Sequence, residues 1–106
     1  YTLRAADSSI LSAAVLLTED ARWAELPFRR AYYLHNLVSA PGAPGAGRTL
    51  LQCVEQLARR NGMEALRLDC AAGSEALNRF YEAAGYLPRG TCSEGEYRGI
   101  LREKLL

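Results

Sequence analysis

The chain of 106 residues has no surplus of charge of either sign and no long apolar run. Thirteen Lys and Arg against 12 Asp and Glu leave a formal net charge of +1. Because no basic field covers the molecule, neither nucleic acid nor an anionic membrane surface is expected as a partner. No apolar stretch approaches the roughly 20 residues of a membrane span, and no secretory signal is visible.

Metal-ligating and redox-active residues are also scarce. The chain has one histidine, His35, and three cysteines without a Cys-x-x-Cys spacing. Since a structural zinc site takes four Cys or His ligands at regular spacing, we expect no metal. An odd number of cysteines favours reduced thiols in a cytosolic core, and therefore a cytoplasmic protein.

The remaining composition is that of an ordinary globular protein. Hydrophobic residues make up 49% and charged residues 24% of the chain, which excludes a disordered tail. A chain of this length supports one hydrophobic core, so residues 1–106 are predicted to form a single domain. The sequence begins with Tyr1 rather than Met, and we expect that an N-terminal piece has been lost or left out.

Apolar spacing and turn residues predict a mixture of strands and helices. Strands are predicted at 1–5 and 10–17, which form a hairpin, and at 31–38, 65–70, 86–91 and 97–105. Helices are predicted at 49–60 and after Ser74, which can cap a helix that ends at Gly85. A short helix is expected around Trp23. The fold class is therefore α+β, a three-layer mixed sheet in the order ββ-β-α-β-α-ββ, with a parallel central strand pair between antiparallel hairpins.

A Gly- and Pro-rich loop runs from residue 39 to residue 47, directly before a predicted helix. A helix N-terminus presents unpaired N–H groups and the positive end of the helix dipole, so this loop could hold a phosphate. Gly45, Ala46 and Gly47 allow a ligand close to the backbone, while Arg48 adds charge and Thr49 a hydroxyl. An ordinary connection between a strand and a helix accounts for the same composition, and the sequence leaves that alternative open.

Two common phosphate-binding motifs fit this loop poorly. A P-loop needs Gly-Lys-Ser/Thr, and the only lysine of the chain is Lys104. A dinucleotide-binding unit is suggested by Gly45 and Gly47 and by Asp69, about 20 residues further on. However, Leu50 occupies the position of the third glycine, and too few strands follow to build the second half of such a fold.

Four segments of the chain point to one family when they are taken together. They are Tyr33-Leu-His-Asn-Leu-Val-Ser39, Gly42-Ala-Pro-Gly-Ala-Gly-Arg-Thr-Leu-Leu51, Leu66-Arg-Leu-Asp-Cys70 and Leu77-Asn-Arg-Phe-Tyr-Glu-Ala-Ala-Gly-Tyr86. In this order they resemble the GNAT superfamily of acetyl-CoA-dependent N-acetyltransferases. The resemblance covers the chain from Tyr1 to Leu106, without the usual N-terminal strand and helices of the family.

The resemblance implies a fold and a set of cofactor contacts. The central parallel strands are expected to splay around a coenzyme A site, where an acetyl group passes directly from acetyl-CoA to an amine of a small molecule or peptide. Backbone groups of Leu37 and Val38 and the side chain of Asn78 are expected along the pantetheine arm. The pyrophosphate is expected in the loop and first helical turn, at Gly42, Ala43, Gly45, Ala46, Gly47, Arg48 and Thr49. The family also allows a homodimer.

The resemblance also assigns two catalytic groups. Tyr81 is expected beside the thioester sulfur, where it contacts the cofactor and protonates the leaving thiolate. His35 is the candidate base, because histidine titrates near neutral pH and its strand is similar to one that carries base histidines in arylalkylamine N-acetyltransferases. A core aromatic and a structural histidine are the plain alternatives for these two residues. Glu25 with a water chain is another candidate base, and Cys70 is expected to be a buried thiol.

One departure from the family pattern bears on activity. Gly42 stands where the family has Arg or Gln, and Pro44 removes one N–H donor from the loop. Either weaker cofactor binding or a compensating contact from Arg48 is expected. The alternative function is therefore a catalytically weak or inactive acyl-CoA-binding or interaction module of the same fold.

Overall fold

The computed structural model describes residues 1–5, 7, 9–40, 42–43 and 45–106. In this part of the chain, six strands form one mixed sheet with two helices and a short 3-10 helix. The strands are β1 Thr2–Arg4, β2 Ile10–Leu17, β3 Ala31–Ser39, β4 Ala65–Ala71, β5 Leu87–Glu94 and β6 Tyr97–Leu105. The helices are α1 Ala46–Arg60, α2 Glu75–Ala83 and the 3-10 helix Ala21–Trp23. Among the described residues, no helix is both long and apolar enough to cross a bilayer.

The strand order across the sheet is β1-β2-β3-β4-β6-β5. Strands β1, β2 and β3 pair antiparallel, as do β4, β6 and β5. The central pair β3 and β4 is parallel, and its register runs only from Ala31–Ala65 to Tyr33–Arg67. The predicted α+β class, element order and parallel central pair are thus confirmed.

Helix α1 begins earlier than its apolar spacing predicts. The prediction starts the helix at Thr49, whereas the structure starts it at Ala46, after Gly45 with φ 81°. Glycine adopts this left-handed conformation without the steric cost of a Cβ, so the chain turns there and the helix follows at once. The end of the Gly-rich segment is therefore the first helical turn rather than a loop.

Helix α2 begins as predicted, but one of its side chains faces a different way. The hydroxyl of Ser74 accepts a hydrogen bond from the amide of Leu77 at 3.2 Å, which caps the helix. Leu77 was predicted to face the core, yet it is 43% exposed. The helix packs on the core through Tyr81 and Phe80 near its C-terminal end, while its first turn is more exposed.

The sheet has a separate hydrophobic cluster on each face. On the helix side, α1 and α2 pack over a cluster built from Ala14, Leu34, Leu50, Leu51, Val54, Leu66, Leu68, Cys70, Tyr81 and Tyr86. On the opposite face, the 3-10 helix brings Trp23 onto a smaller cluster with Ala31, Tyr33, Ala65 and Leu101. Burial of each large apolar side chain contributes about 1.5–3 kcal/mol, so both faces stabilise the sheet.

Strand β3 contains a bulge at Asn36. Between the pairs Val15–His35 and Ala13–Val38, one residue of β2 opposes two of β3, and Asn36 has φ 56°. Simple alternation predicts Tyr33, His35 and Leu37 on one face. That prediction is wrong for Leu37, which packs against the helix-side cluster while Tyr33 lies in the cluster of Trp23, because the extra residue reverses the alternation.

The bulge generates a prediction for stability. Asparagine tolerates the left-handed region, whereas a β-branched residue there is strained by about 1–2 kcal/mol. We expect Asn36→Val to lower the free energy of unfolding by about that amount, and Asn36→Gly to leave it nearly unchanged. Urea denaturation followed by circular dichroism measures both variants. Equal stability of the Val and Gly variants would contradict the strain argument.

Candidate active site

The central strands separate soon after they meet. Beyond Tyr33 and Arg67 their register ends, while β3 continues beside β2 to Ser39. The gap opens into a cavity of about 270 Å³ on the side of the 3-10 helix. Its walls are Arg22, Leu34, His35, Asn36, Leu37, Leu68, Asp69, Tyr81 and Tyr97. We call this space the transfer cavity.

A second cavity lies beside the first, on the side of the two helices. It has a volume of about 290 Å³ and is lined by Leu37, Ser39, Gly45, Gly47, Arg48, Leu77, Phe80 and Tyr81. We call this space the loop cavity, because the start of α1 forms its floor. Leu37 and Tyr81 line both cavities, which therefore adjoin at these two side chains.

The first turn of α1 contacts β2 and β3, and two of its backbone amides have no acceptor among the described residues. The hydroxyl of Ser12 donates to the carbonyl of Ala46 at 3.0 Å inside the core. A Cβ on Gly47 would come within 2.7 Å of the Ser39 hydroxyl, which would have to move to admit any other residue. No side chain caps the helix, and the amides of Gly47 and Arg48 have no acceptor in the described ranges.

The other residues predicted for the cofactor lie around this helix start. Gly42 is exposed with φ 78°, and the carbonyl of Ala43 accepts from the amide of Ala46 at 3.2 Å. Thr49 turns its hydroxyl back to the carbonyl of Gly45 at 3.0 Å. Val38 is 58% exposed beside the cleft. Pro44, the residue predicted to remove a donor from the loop, lies outside the described residues.

Tyr81 is the one aromatic hydroxyl that faces both cavities. The residue is 7% exposed, and its ring lies edge-on to Phe80 at 5.1 Å and to Tyr86 at 5.9 Å. Burial raises the pKa of Tyr81 to about 12. The phenol therefore keeps its proton at neutral pH and can donate a hydrogen bond. The core-aromatic interpretation and the catalytic one are both compatible with this position.

His35 lies on the transfer cavity next to a carboxylate. Its Nε2 is 3.0 Å from Oδ2 of Asp20, which is 9% exposed. The pair is close enough for an ion pair, but His35 Nε2 has no hydrogen-bond partner among the described residues. Asp20 is fixed because its other oxygen caps the 3-10 helix by accepting from the amide of Arg22 at 3.0 Å.

A second carboxylate, Asp69, lines the transfer cavity, and both of its oxygens accept hydrogen bonds. It accepts from the hydroxyl of Tyr97 at 2.6 Å and from Nη1 of Arg22 at 3.2 Å. Burial, and then the hydrogen bond to Asp69, raise the pKa of Tyr97. Arg22 also donates to Glu94 at 2.6 Å, and this bond raises the pKa of the guanidinium. Tyr97 therefore keeps its proton and Arg22 its positive charge at neutral pH.

One atom each from Asp20, His35 and Asp69 lies within 4.8 Å of the others, which is close enough for a shared metal ion. Both oxygens of Asp69 already accept hydrogen bonds, one of them from the cation of Arg22. The donor set therefore fits a metal poorly, because Arg22 already supplies the positive charge. The expectation that the protein binds no metal stays a prediction.

Asn78 and Cys70 serve the fold in this structure. The amide nitrogen of Asn78 donates to the carbonyls of Ala71 and Ser74 at 3.1 and 2.8 Å, and its oxygen accepts from Arg102 at 3.0 Å. Cys70 is buried, its Sγ lies 3.4 Å from the same oxygen, and burial raises the pKa of the thiol. A contact between Asn78 and a cofactor stays a prediction.

Sequence reasoning missed several residues of the transfer cavity. Asp20 and Arg22 lie in a polar segment without a motif, and Tyr97 begins the last strand. The sequence suggests Asp69 only as the acidic residue of a dinucleotide-binding unit. Glu25, the other candidate base, lies on a different cavity that also includes Gly90 to Glu94. Only the fold brings these distant positions together or keeps them apart.

The sequence matches the model of the acetyltransferase (GNAT) family over residues 11–86. The chain belongs to the GNAT family. The matched region contains β2, β3, α1, β4 and α2, and therefore both strands that open the cleft. The family predicted from the sequence motifs is confirmed. Comparison with curated protein sequences found no match.

Solved structures share this GNAT fold along almost the whole chain. A GNAT acetyltransferase from Listeria monocytogenes is 22% identical, with a TM-score of 0.81, over 99% of this chain and 63% of its own. Chaetomium thermophilum Naa20, in complex with a bisubstrate analogue, is 16% identical, with a TM-score of 0.77, over 99% and 64%. A GNAT acetyltransferase from Elizabethkingia anophelis with acetyl-CoA bound is 17% identical, with a TM-score of 0.72, over 94% and 71%. The chain thus spans less than two thirds of the first two proteins, and at these identities the likeness shows the fold alone.

The burial of Tyr81 predicts its ionisation. An ordinary tyrosine is half ionised at pH 10.0, whereas Tyr81 is expected to remain protonated there because its pKa is about 12. NMR of protein labelled with ¹³C at the tyrosine Cζ measures this, with Tyr81→Phe to assign the signal. Half ionisation of the assigned signal at pH 10.0, with the protein still folded, would contradict the prediction.

Proposed function

We propose that this chain is an acetyl-CoA-dependent N-acetyltransferase that passes the acetyl group directly to an amine. The observation that carries the proposal is the shared wall of the two cavities at Tyr81 and Leu37. An acyl donor in the loop cavity and an amine in the transfer cavity would meet there. Family membership supports the reaction class, and the acetyl-CoA held by the Elizabethkingia protein supports the donor.

The loop cavity offers the contacts that an acyl-CoA needs. The amides of Gly47 and Arg48 at the start of α1, together with the helix dipole, suit a pyrophosphate. The exposed guanidinium of Arg48 adds the charge that Gly42 does not supply. Beyond its register with β4, the free edge of β3 at Leu37 and Val38 suits the amides of a pantetheine arm.

Acetyl transfer requires that the amine loses a proton and that the departing sulfur gains one. Attack by the amine forms a C–N bond and breaks the C–S bond of the thioester, and the departing thiolate needs a proton. We propose that Tyr81 donates this proton to the sulfur, since its phenol stays protonated at neutral pH. An acceptor that arrives as an ammonium ion first loses a proton to a base.

His35 is the base that we propose. Its Nε2 lies beside Asp20, which leaves Nδ1 to take the proton. Asp69 on the cavity wall and Asp20 beside His35 outnumber Arg22 by one charge, which favours a positively charged amine over an anionic acceptor. Glu25 is the less favoured base because it lines another cavity.

A non-catalytic acyl-CoA-binding or interaction module is the second candidate function. Gly42, exposed at the loop where the family has Arg or Gln, is the observation that favours it. This alternative keeps the loop cavity and gives no acetyl transfer.

The two functions separate in one pair of measurements. Coenzyme A should raise the Tm under both, because a ligand that binds only the native state stabilises it. Acetyl-CoA with a panel of primary amines should release free thiol only if the chain is an enzyme. We expect Tyr81→Phe to lower kcat by about 10²-fold or more while the dissociation constant of coenzyme A stays the same.

Three outcomes would contradict the proposal. An absent Tm shift at saturating coenzyme A would remove both functions. Binding without thiol release above background would leave the non-catalytic module. An unchanged kcat in Tyr81→Phe would remove Tyr81 as the acid. Arg79→Gln, which changes a 75% exposed arginine on α2 that lines neither cavity, is the control for general damage to the helix.

Variants at His35 and Glu25 decide between the two bases. His35→Gln should lower kcat/KM at neutral pH by about 10²–10⁴-fold. The deficit should shrink as the pH rises, because a growing fraction of the amine then arrives already deprotonated. Glu25→Gln should behave as the wild type over the same pH–rate profile. A deficit in Glu25→Gln that shrinks with pH, with none in His35→Gln, would reverse the assignment.

A further inference from the structure

Three arginines converge on one carboxylate on the sheet face away from the helices. Glu103 of β6 is 3% exposed, and its side chain meets Nε of Arg67 at 2.7 Å, Nε of Arg89 at 3.1 Å and Nε of Arg29 at 3.5 Å. Burial acts to raise the pKa of Glu103, but hydrogen bonds from Arg67 and Arg89 outweigh it and lower the pKa. Glu103 is therefore ionised, and the cluster carries two surplus positive charges.

The surplus charge sits on Arg29 and Arg89 rather than on Arg67. Arg67 is 3% exposed, and its remaining nitrogens donate to the hydroxyl of Tyr33 at 3.1 Å and the carbonyl of Pro27 at 2.8 Å. Arg29 and Arg89 reach Glu103 through Nε alone, and their side chains are each 39% exposed. Within the described ranges, their terminal nitrogens have no acceptor.

These two arginines border a small cavity with an apolar wall. The cavity has a volume of about 110 Å³ and is lined by Trp23, Leu26 and Pro27 as well as by the charged cluster. Trp23 is 3% exposed, and its Nε1–H has no acceptor among the described residues. A buried donor without an acceptor costs about 1–3 kcal/mol, and the residue that carries this donor lines the cavity.

We propose that this cavity binds a small organic carboxylate. Terminal nitrogens of Arg29 and Arg89 bind the two oxygens, since planar guanidinium groups match a carboxylate well, and Trp23, Leu26 and Pro27 cover the carbon chain. The space equals that of about four water molecules, which suits a short acid such as butyrate. The site shares no lining residue with the transfer cavity, and the proposal does not rest on the proposed acetyl transfer.

NMR of the Trp23 indole tests this site directly. Trp23 is the only tryptophan of the chain, so its indole N–H gives a single, assigned signal on the cavity wall. Titration with butyrate at constant ionic strength should shift this signal in a saturable way, whereas chloride should not. A shift from inorganic phosphate that equals the butyrate shift would overturn the carboxylate assignment, because phosphate has no carbon chain to cover.

Variants separate a binding site from an ion-pair network that serves only the fold. Arg89→Gln should weaken butyrate binding by about tenfold or more, and Glu103 keeps Arg67 and Arg29 as partners. Arg79→Gln, which changes a 75% exposed arginine on α2, should bind as the wild type. Arg29→Gln replaces Arg89→Gln if the latter does not fold by circular dichroism. No saturable shift in the wild type, or equal affinity in the folded arginine variant, would overturn the proposal.

Discussion

The short parallel contact between β3 and β4 is the constraint on which the rest of the structure depends. Three residue pairs hold the strands together, and Ala31 and Ala65 at its start are buried. Past this contact the bulge at Asn36 turns β3 along β2, and the sheet opens between its two central strands. Both the transfer cavity and the free edge of β3 result from this divergence. A fully paired sheet would close them.

The 3-10 helix at Ala21–Trp23 connects regions that are far apart in sequence. Its cap Asp20 faces His35, its central residue Arg22 binds Asp69 and Glu94, and Trp23 covers the second cluster of the sheet. Neighbouring residues of this short helix thus line different sites, because Arg22 lines the transfer cavity and Trp23 lines the cavity beside the arginine cluster. A segment with no recognisable motif therefore determines the charge on that face.

Local physics explains which parts of the fold could be predicted. Period-two and period-3.6 spacing, the Ser74 cap and the turn glycines act within a few residues, and the predicted elements agree with the structure to within a few residues. The start of α1 was misplaced because the apolar spacing begins at Leu50, whereas the helix is started by the backbone of Gly45. The face of Leu37 was wrong because a bulge leaves no mark in the hydrophobic pattern.

The sequence by itself determined the element order, the family and two groups that line the transfer cavity, His35 and Tyr81. These follow from short-range patterns and from motifs carried on single segments. Only the tertiary structure decided that Asp20 stands beside His35, that Asp69 is held by Tyr97 and Arg22, and that Tyr81 borders both cavities. Such contacts join residues dozens of positions apart, and their distances depend on how the strands splay, which no local pattern encodes.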